Sequence, residues 1–163
     1  GDRLWVKPLT NQGNIKWLSG RKKVATVNDA TGLVKAKAPG RTVIKAFNKD
    51  KPSEKASYTL YVACSAPQNV TADPCKNKAQ GSSYADIKIS WNSVQGATSY
   101  EIYRSAKKNG KYQRIGTTKK LSFVDRTAAA KKNYYYKVKA KNKYKYCTSP
   151  LSKWVMARRK LLK

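Results

Sequence analysis

From Tyr134 to Lys141 the chain reads YYYKVKAK, and the lysine spacing carries on through Lys143 and Lys145, so five lysines occupy every second position from Lys137. Successive side chains of a β-strand point to opposite faces. A period of two therefore separates Tyr134, Tyr136, Val138 and Ala140 from Tyr135, Lys137, Lys139 and Lys141. An α-helix would spread the same residues around its circumference, and the Tyr and Val content favours a strand. The pattern predicts a half-buried strand with a lysine row in water. The plain alternative is that lysine merely solvates an outer sheet face.

The same short period runs through the chain. RLWVKPL, KVATV, GLVKAKA, TVIKAF, YTLYVA, DIKISW, SYEIYRS, YQRIGTT, LSFVD, YYYKVKAK and KWVMARR are separated by Gly, Pro, Asn and Asp, which reads as eleven short strands. Asn28-Asp29-Ala30-Thr31-Gly32, Ala38-Pro39-Gly40 and Lys107-Lys108-Asn109-Gly110 supply turn chemistry between apolar runs. An all-β fold of two tandem antiparallel sandwiches follows, with helix restricted to about one turn. The composition changes at YVACSAPQNV, where an apolar strand ends and Ser65-Ala66-Pro67 forms a short linker, giving domains at 1–64 and 65–163.

WLSGRKKVATVNDATGLVKAKAPGRTVIKAF, Trp17 to Phe47, resembles the bacterial Ig-like domain of group 2. The residues that carry the likeness are Trp17, Ser19, Val24, Ala25, Val27, Gly32, Val34, Ala36, Gly40, Ile44 and Ala46. That family has a further strand ahead of the Gly-acid pair that aligns with Gly1 and Asp2. A first sandwich lacking this strand is thus one outcome, and it would leave an open edge for an upstream segment or a partner. The second half, from PQNVTA through ISWNSVQGATSYEIYRS to YYYKVKAKN, resembles a bacterial fibronectin type III domain. The likeness implies inward faces made of Ile87, Ile89 and Trp91, of Tyr100 and Ile102, and of Tyr134, Tyr136, Val138 and Ala140. It also implies a corner tyrosine at Tyr134 whose hydroxyl bonds the preceding turn, although the family's Leu and Pro ahead of it are Ala128 and Ala130 here. By the same topology Cys64 and Cys147 come to one end of the sandwich and are a possible disulfide, while Cys75 lies toward the other end. Three reduced thiols are the alternative.

Chemistry is scarce in this inventory. The chain has no histidine, so Ser-His and Cys-His activation is unavailable. The acids Asp73, Asp86, Glu101 and Asp125 are scattered, the cysteines lack zinc-site spacing, and no glycine-rich phosphate loop precedes a helix. No enzyme, no cofactor, no metal and no small-molecule substrate are expected. No apolar run approaches the roughly 18 residues of a membrane span, so no transmembrane segment is expected either.

Charge is abundant: 36 Lys plus Arg stand against 8 Asp plus Glu, a net +28 that is spread along the chain. Residues 1–65 hold 13 basic and 4 acidic side chains, and residues 66–163 hold 23 and 4. With 40% hydrophobic residues, 4 Trp and 11 Tyr, the chain is globular despite this excess. Tyr135, Lys137, Lys139 and Lys141 should share their sheet face with Tyr103 and Arg114 of neighbouring strands, and with Lys143 and Lys145 they form the candidate polyanion-binding residues. Lysines about 7 Å apart along one face repel within the Debye length, so the row costs stability unless an anion neutralises it. The family resemblances imply a secreted or surface-attached bacterial setting, as spacers, adhesion units or appendages of carbohydrate-active enzymes. The expected partner is an anionic polysaccharide or cell-wall polymer, such as an acidic glycan or teichoic acid, and a monomer is expected. A purely structural spacer is the second reading. Nucleic-acid binding is the third and less favoured, since no helix is available for a groove.

Overall fold

The computed structural model describes Arg3–Trp5, residues 14–76 and residues 85–160. Among them are thirteen strands, one 3-10 turn and no α-helix. The fold is all-β, as the period-two pattern predicts. The chain forms two compact units, Gly1–Ala63 with Tyr144–Cys147, and Cys64–Lys143 with Thr148–Lys163.

The first unit contains two antiparallel sheets. One has the order β1 (Arg3–Trp5), β4 (Leu33–Ala36), β3 (Ala25–Val27), and the other β2 (Ile15–Ser19), β5 (Gly40–Asn48), β6 (Lys55–Val62). Trp17, Ala25, Val34, Ile44 and Ala46 form its core, packed on by Ile15, Val27 and Leu60. The turn between β3 and β4 closes because the Asn28 side-chain oxygen accepts from the backbone N–H groups of Ala30 and Thr31, and Gly32 takes a left-handed φ of 72°. Strand β6 ends its sheet, and although Ala56 and Tyr58 stand opposite the buried Ala46 and Ile44, both are exposed. Gly1 and Asp2, on which the reading of a missing strand turned, lie outside the described residues.

In the second unit one sheet has the order β11 (Ser122–Asp125), β8 (Asp86–Ser90), β7 (Thr71–Cys75). The other has the order β10 (Gln113–Thr118), β9 (Ser99–Ser105), β12 (Asn133–Lys141), β13 (Val155–Arg158). Ile87, Ile89, Trp91, Tyr100, Ile102, Tyr136, Val138 and Ala140 are all buried in one cluster, with Tyr134 half-buried against it. Full burial of each large side chain stabilises by about 1.5–3 kcal/mol relative to exposure. Tyr134 does make the corner expected of it: its hydroxyl accepts from the Ala129 N–H at 3.2 Å.

Strands β2 and β7 are not among the eleven runs. Strand β7 escapes the pattern because it contains Asp73-Pro74, and proline cannot donate to a ladder. Its place at the sheet edge is where such a residue is tolerated. Cys64 and Cys147 are buried, and all three cysteines are present as thiols.

Candidate functional site

The lysine row sits where the alternation places it, but it is shorter than the sequence suggests. Strand β12 ends at Lys141. Lys143 lies beyond the strand, and Lys145 opens the 3-10 turn Lys145–Cys147, which belongs to the first unit. Neither is part of the strand, so the ladder carries three of the five alternating lysines. A Lys-x-Lys repeat carries no mark of where backbone pairing stops.

Antiparallel pairing puts directly opposed residues on one face. In register, Lys137 faces Tyr103, which faces Arg114 on the far side, and Lys139 faces Glu101. Tyr135 faces Ser105 on one neighbour and Met156 on the other. The expected residues Tyr135, Lys137, Lys139, Lys141, Tyr103 and Arg114 are thus brought onto a single outer sheet face. Glu101 is its only acid among the described residues of these four strands.

That acid divides the face. Arg114 donates to Glu101 at 3.0 Å, the Tyr103 hydroxyl donates to it at 2.9 Å, and the Lys141 ammonium lies 3.7 Å away. Burial pulls the Glu101 carboxyl upward, but the Tyr103 and Arg114 hydrogen bonds and the Lys141 charge outweigh it and hold it below its ordinary value. Burial and Glu101 together push the Tyr103 hydroxyl up. At this end of the row the protein supplies an anion of its own, Glu101, which engages Arg114 and Lys141.

Among the described residues the other end holds no carboxylate and has rings in its place. The Lys137 ammonium lies over the Tyr112 ring, 4.5 Å from its centroid, and the Lys108 ammonium lies 4.7 Å over Trp154. Tyr135 meets Trp154 edge-on at 5.5 Å. Burial and the neighbouring Tyr135 push the Tyr112 hydroxyl above its ordinary value. Tyr112, Trp154, Met156 and Lys108 are absent from the residues selected by sequence. Parity could have found three of them, since Tyr112 is two residues before Arg114 and Trp154 and Met156 alternate with the inward Val155 and Ala157. Lys108 lies in the turn after β9 and has no such signal.

Two other acids of this unit, Asp125 and Asp86, are structural. Asp125 accepts from Arg104 and from the Tyr136 hydroxyl, both at 2.8 Å, and Asp86 pairs with Arg126 and Arg159. Among the described residues no three His, Cys, Asp or Glu side chains gather as a metal site would need. No helix there is long and apolar enough to cross a membrane.

Two antiparallel sandwiches in tandem, the second carrying a corner tyrosine, define a pair of Ig-like and fibronectin type III modules. Residues 6–59 match the family described as Bacterial Ig-like domain (group 2), and residues 67–149 match GH85 endohexosaminidases, C-terminal domain. The chain belongs to the latter family through its second module, with a bacterial Ig-like domain ahead of it. No curated protein matches the chain. Among solved structures, a two-domain fibronectin type III segment of chicken tenascin is similar in fold. It has 9% identity and a TM-score of 0.60, covering 93% of this chain and 87% of that one. An Fn3-like protein from Clostridium thermocellum shares 26% identity at a TM-score of 0.47, covering 58% of this chain and 91% of that one.

Proposed function

We propose that this chain is a noncatalytic module of a larger secreted or cell-surface bacterial protein, and that it binds an anionic polymer, an acidic glycan or teichoic acid, through the outer face of the β10-β9-β12-β13 sheet. The observation that carries this reading is the register that sets Lys137, Lys139 and Lys141 on one face with a single acid among them. A net charge of +28 raises the local concentration of polyanions around it. The endohexosaminidase family that residues 67–149 match supports a glycan-related setting.

A structural spacer is the second reading, favoured by the engagement of Arg114 and Lys141 with Glu101. The two readings part on salt-dependent retention. On columns of sulfated glycan, wall teichoic acid and DNA, the binding module elutes from glycan or teichoic acid at higher salt than from DNA. Changing Lys137, Lys139 and Lys141 together to Gln lowers the elution salt. A spacer is held by all three columns through its overall charge alone, with no preference among them, and changing three of its 36 basic side chains hardly moves its elution. The fit to DNA is poorer because the described residues offer no helix to a groove.

A further inference from the structure

Where the rings gather, the sheet face is amphipathic and not merely cationic. Tyr135 stands between Ser105 and Met156 in the ladder, its ring meets that of Trp154 in a T-shaped pair, and Lys108 and Lys137 lie over the rings of Trp154 and Tyr112. Trp154 and Met156 keep 40% and 48% of their surface in water. A solvated lysine row needs none of this, and water-facing apolar groups grouped beside cations mark a contact surface.

We infer that this end of the face is a subsite for one ring of an acidic saccharide. The inference rests on the polyanion reading and narrows it to a ligand class. A sugar ring offers an apolar C–H face and, in uronic or sulfated sugars, an anion at its rim. The first fits the Trp154, Tyr135 and Met156 surface and the second fits the ammonium groups of Lys108 and Lys137. Those ammonium groups are already positioned by the rings beneath them, so less side-chain freedom is lost on binding. A polyol phosphate chain presents anions without an apolar ring face, so the lysines attract it and the rings add nothing. The binding centre accordingly moves toward Lys108 and Lys137, away from Arg114 and Lys141, which already form ion pairs with Glu101.

The test measures affinity and salt dependence of the whole chain for a sulfated polysaccharide, a polyuronate, poly(glycerol phosphate) and single-stranded oligo(dT), with Trp154→Ala and with the triple Lys137, Lys139, Lys141 to Gln variant. Trp154→Ala is expected to weaken binding to both acidic polysaccharides about tenfold, the loss that a truncated aromatic anchor gives. It should leave the salt slope and the affinity for poly(glycerol phosphate) unchanged, because no charge is removed. Titrating the unmodified protein gives a readout free of folding effects: the Trp154 indole N–H resonance, assigned with Trp154→Phe, moves with an acidic oligosaccharide and stays in place with poly(glycerol phosphate). If Trp154→Ala binds the polysaccharides as before while the triple variant binds weakly, the subsite is wrong and the polyanion reading stands. If the triple variant also binds every polymer unchanged, both fall. If oligo(dT) binds more tightly than either polysaccharide and loses most with Trp154→Ala, the rings stack bases and the saccharide assignment is overturned.

Discussion

Asp125 shows how a chain so rich in cations uses its few carboxylates. It lies at the end of β11 with a side chain only 1% exposed, and it takes a hydrogen bond from Arg104, from Tyr136 and from the backbone and hydroxyl of Thr127. Arg104 also lies over the Tyr134 ring at 4.7 Å, so the corner tyrosine and the buried ion pair share one cation. Asp125→Ala is expected to cost about 3–5 kcal/mol in urea unfolding, because it leaves a largely buried guanidinium and a buried hydroxyl without their anion. Burial raises the Asp125 carboxyl, yet the bonds from Arg104, Thr127 and Tyr136 outweigh it and hold it below its ordinary value, as Glu101 is held. Both groups then stabilise the fold fully above the unfolded carboxylate values of about 3.9–4.3, and that contribution is lost as pH falls below them toward the folded values. At the other extreme, burial and Asp125 push the Tyr136 hydroxyl up, so its contribution is present below the unfolded tyrosine value of about 10 and lost as pH rises above it. Urea midpoints measured across pH should fall at both limits, and in Tyr136→Phe the alkaline fall should shrink while the acid one persists.

Strands follow rules that single residues do not reveal. The inward parity of β9 places Arg104 with Tyr100 and Ile102. Alternation therefore points the charge inward but cannot show the partner that permits it, since Asp125 stands 21 residues on. Strand β12 is legible for the same reason that its end is not: period two marks the faces, and nothing in Lys-x-Lys marks the last ladder bond. Beyond β13 its edge is finished by the segment that carries Ser149 and Ser152. Their hydroxyls accept from the N–H groups of Ala140 and Val138, and their own N–H groups donate back to the same two residues. Two serines in a polar loop look like solvent-facing residues, yet both are buried. Gly116 is a further case. It follows a register shift in β10, and a Cβ there would run into the Phe123 ring of β11, so its small size lets the two sheets of the second unit approach. Gly116→Ala should cost about 1–3 kcal/mol by overpacking, and Phe123→Leu in the same chain should recover part of that in denaturant titration. Ile102→Ala, which opens a void in the core, should cost about 2–5 kcal/mol. The triple change of Lys137, Lys139 and Lys141 to Gln should cost no more than about 1 kcal/mol, the worth of the partly exposed Lys141–Glu101 pair.

At the scale of the whole molecule the question is whether +28 is a solvent property or half of an interaction. Like charges held on a compact chain repel, so simple salt should raise the melting temperature of both units by screening, with no regard to which face carries the charge. A polyanion that occupies the β10-β9-β12-β13 face adds a different effect, since a ligand that binds only the folded state stabilises it by about 2.7 kcal/mol at a hundred times its dissociation constant. For a unit of roughly 100 residues that corresponds to a rise on the order of 10 °C. It should appear in the transition of the second unit, which carries the face, and not in that of the first. It should also vanish as salt is added, opposite in sign to the response of the protein alone, because counterions then compete for the same lysines. Scanning calorimetry with a sulfated polysaccharide at low and high salt separates the cases. A binding module shows a selective, salt-erased rise that the triple Gln variant lacks. A spacer shows only the general rise with ionic strength, equal in the parent and the variant.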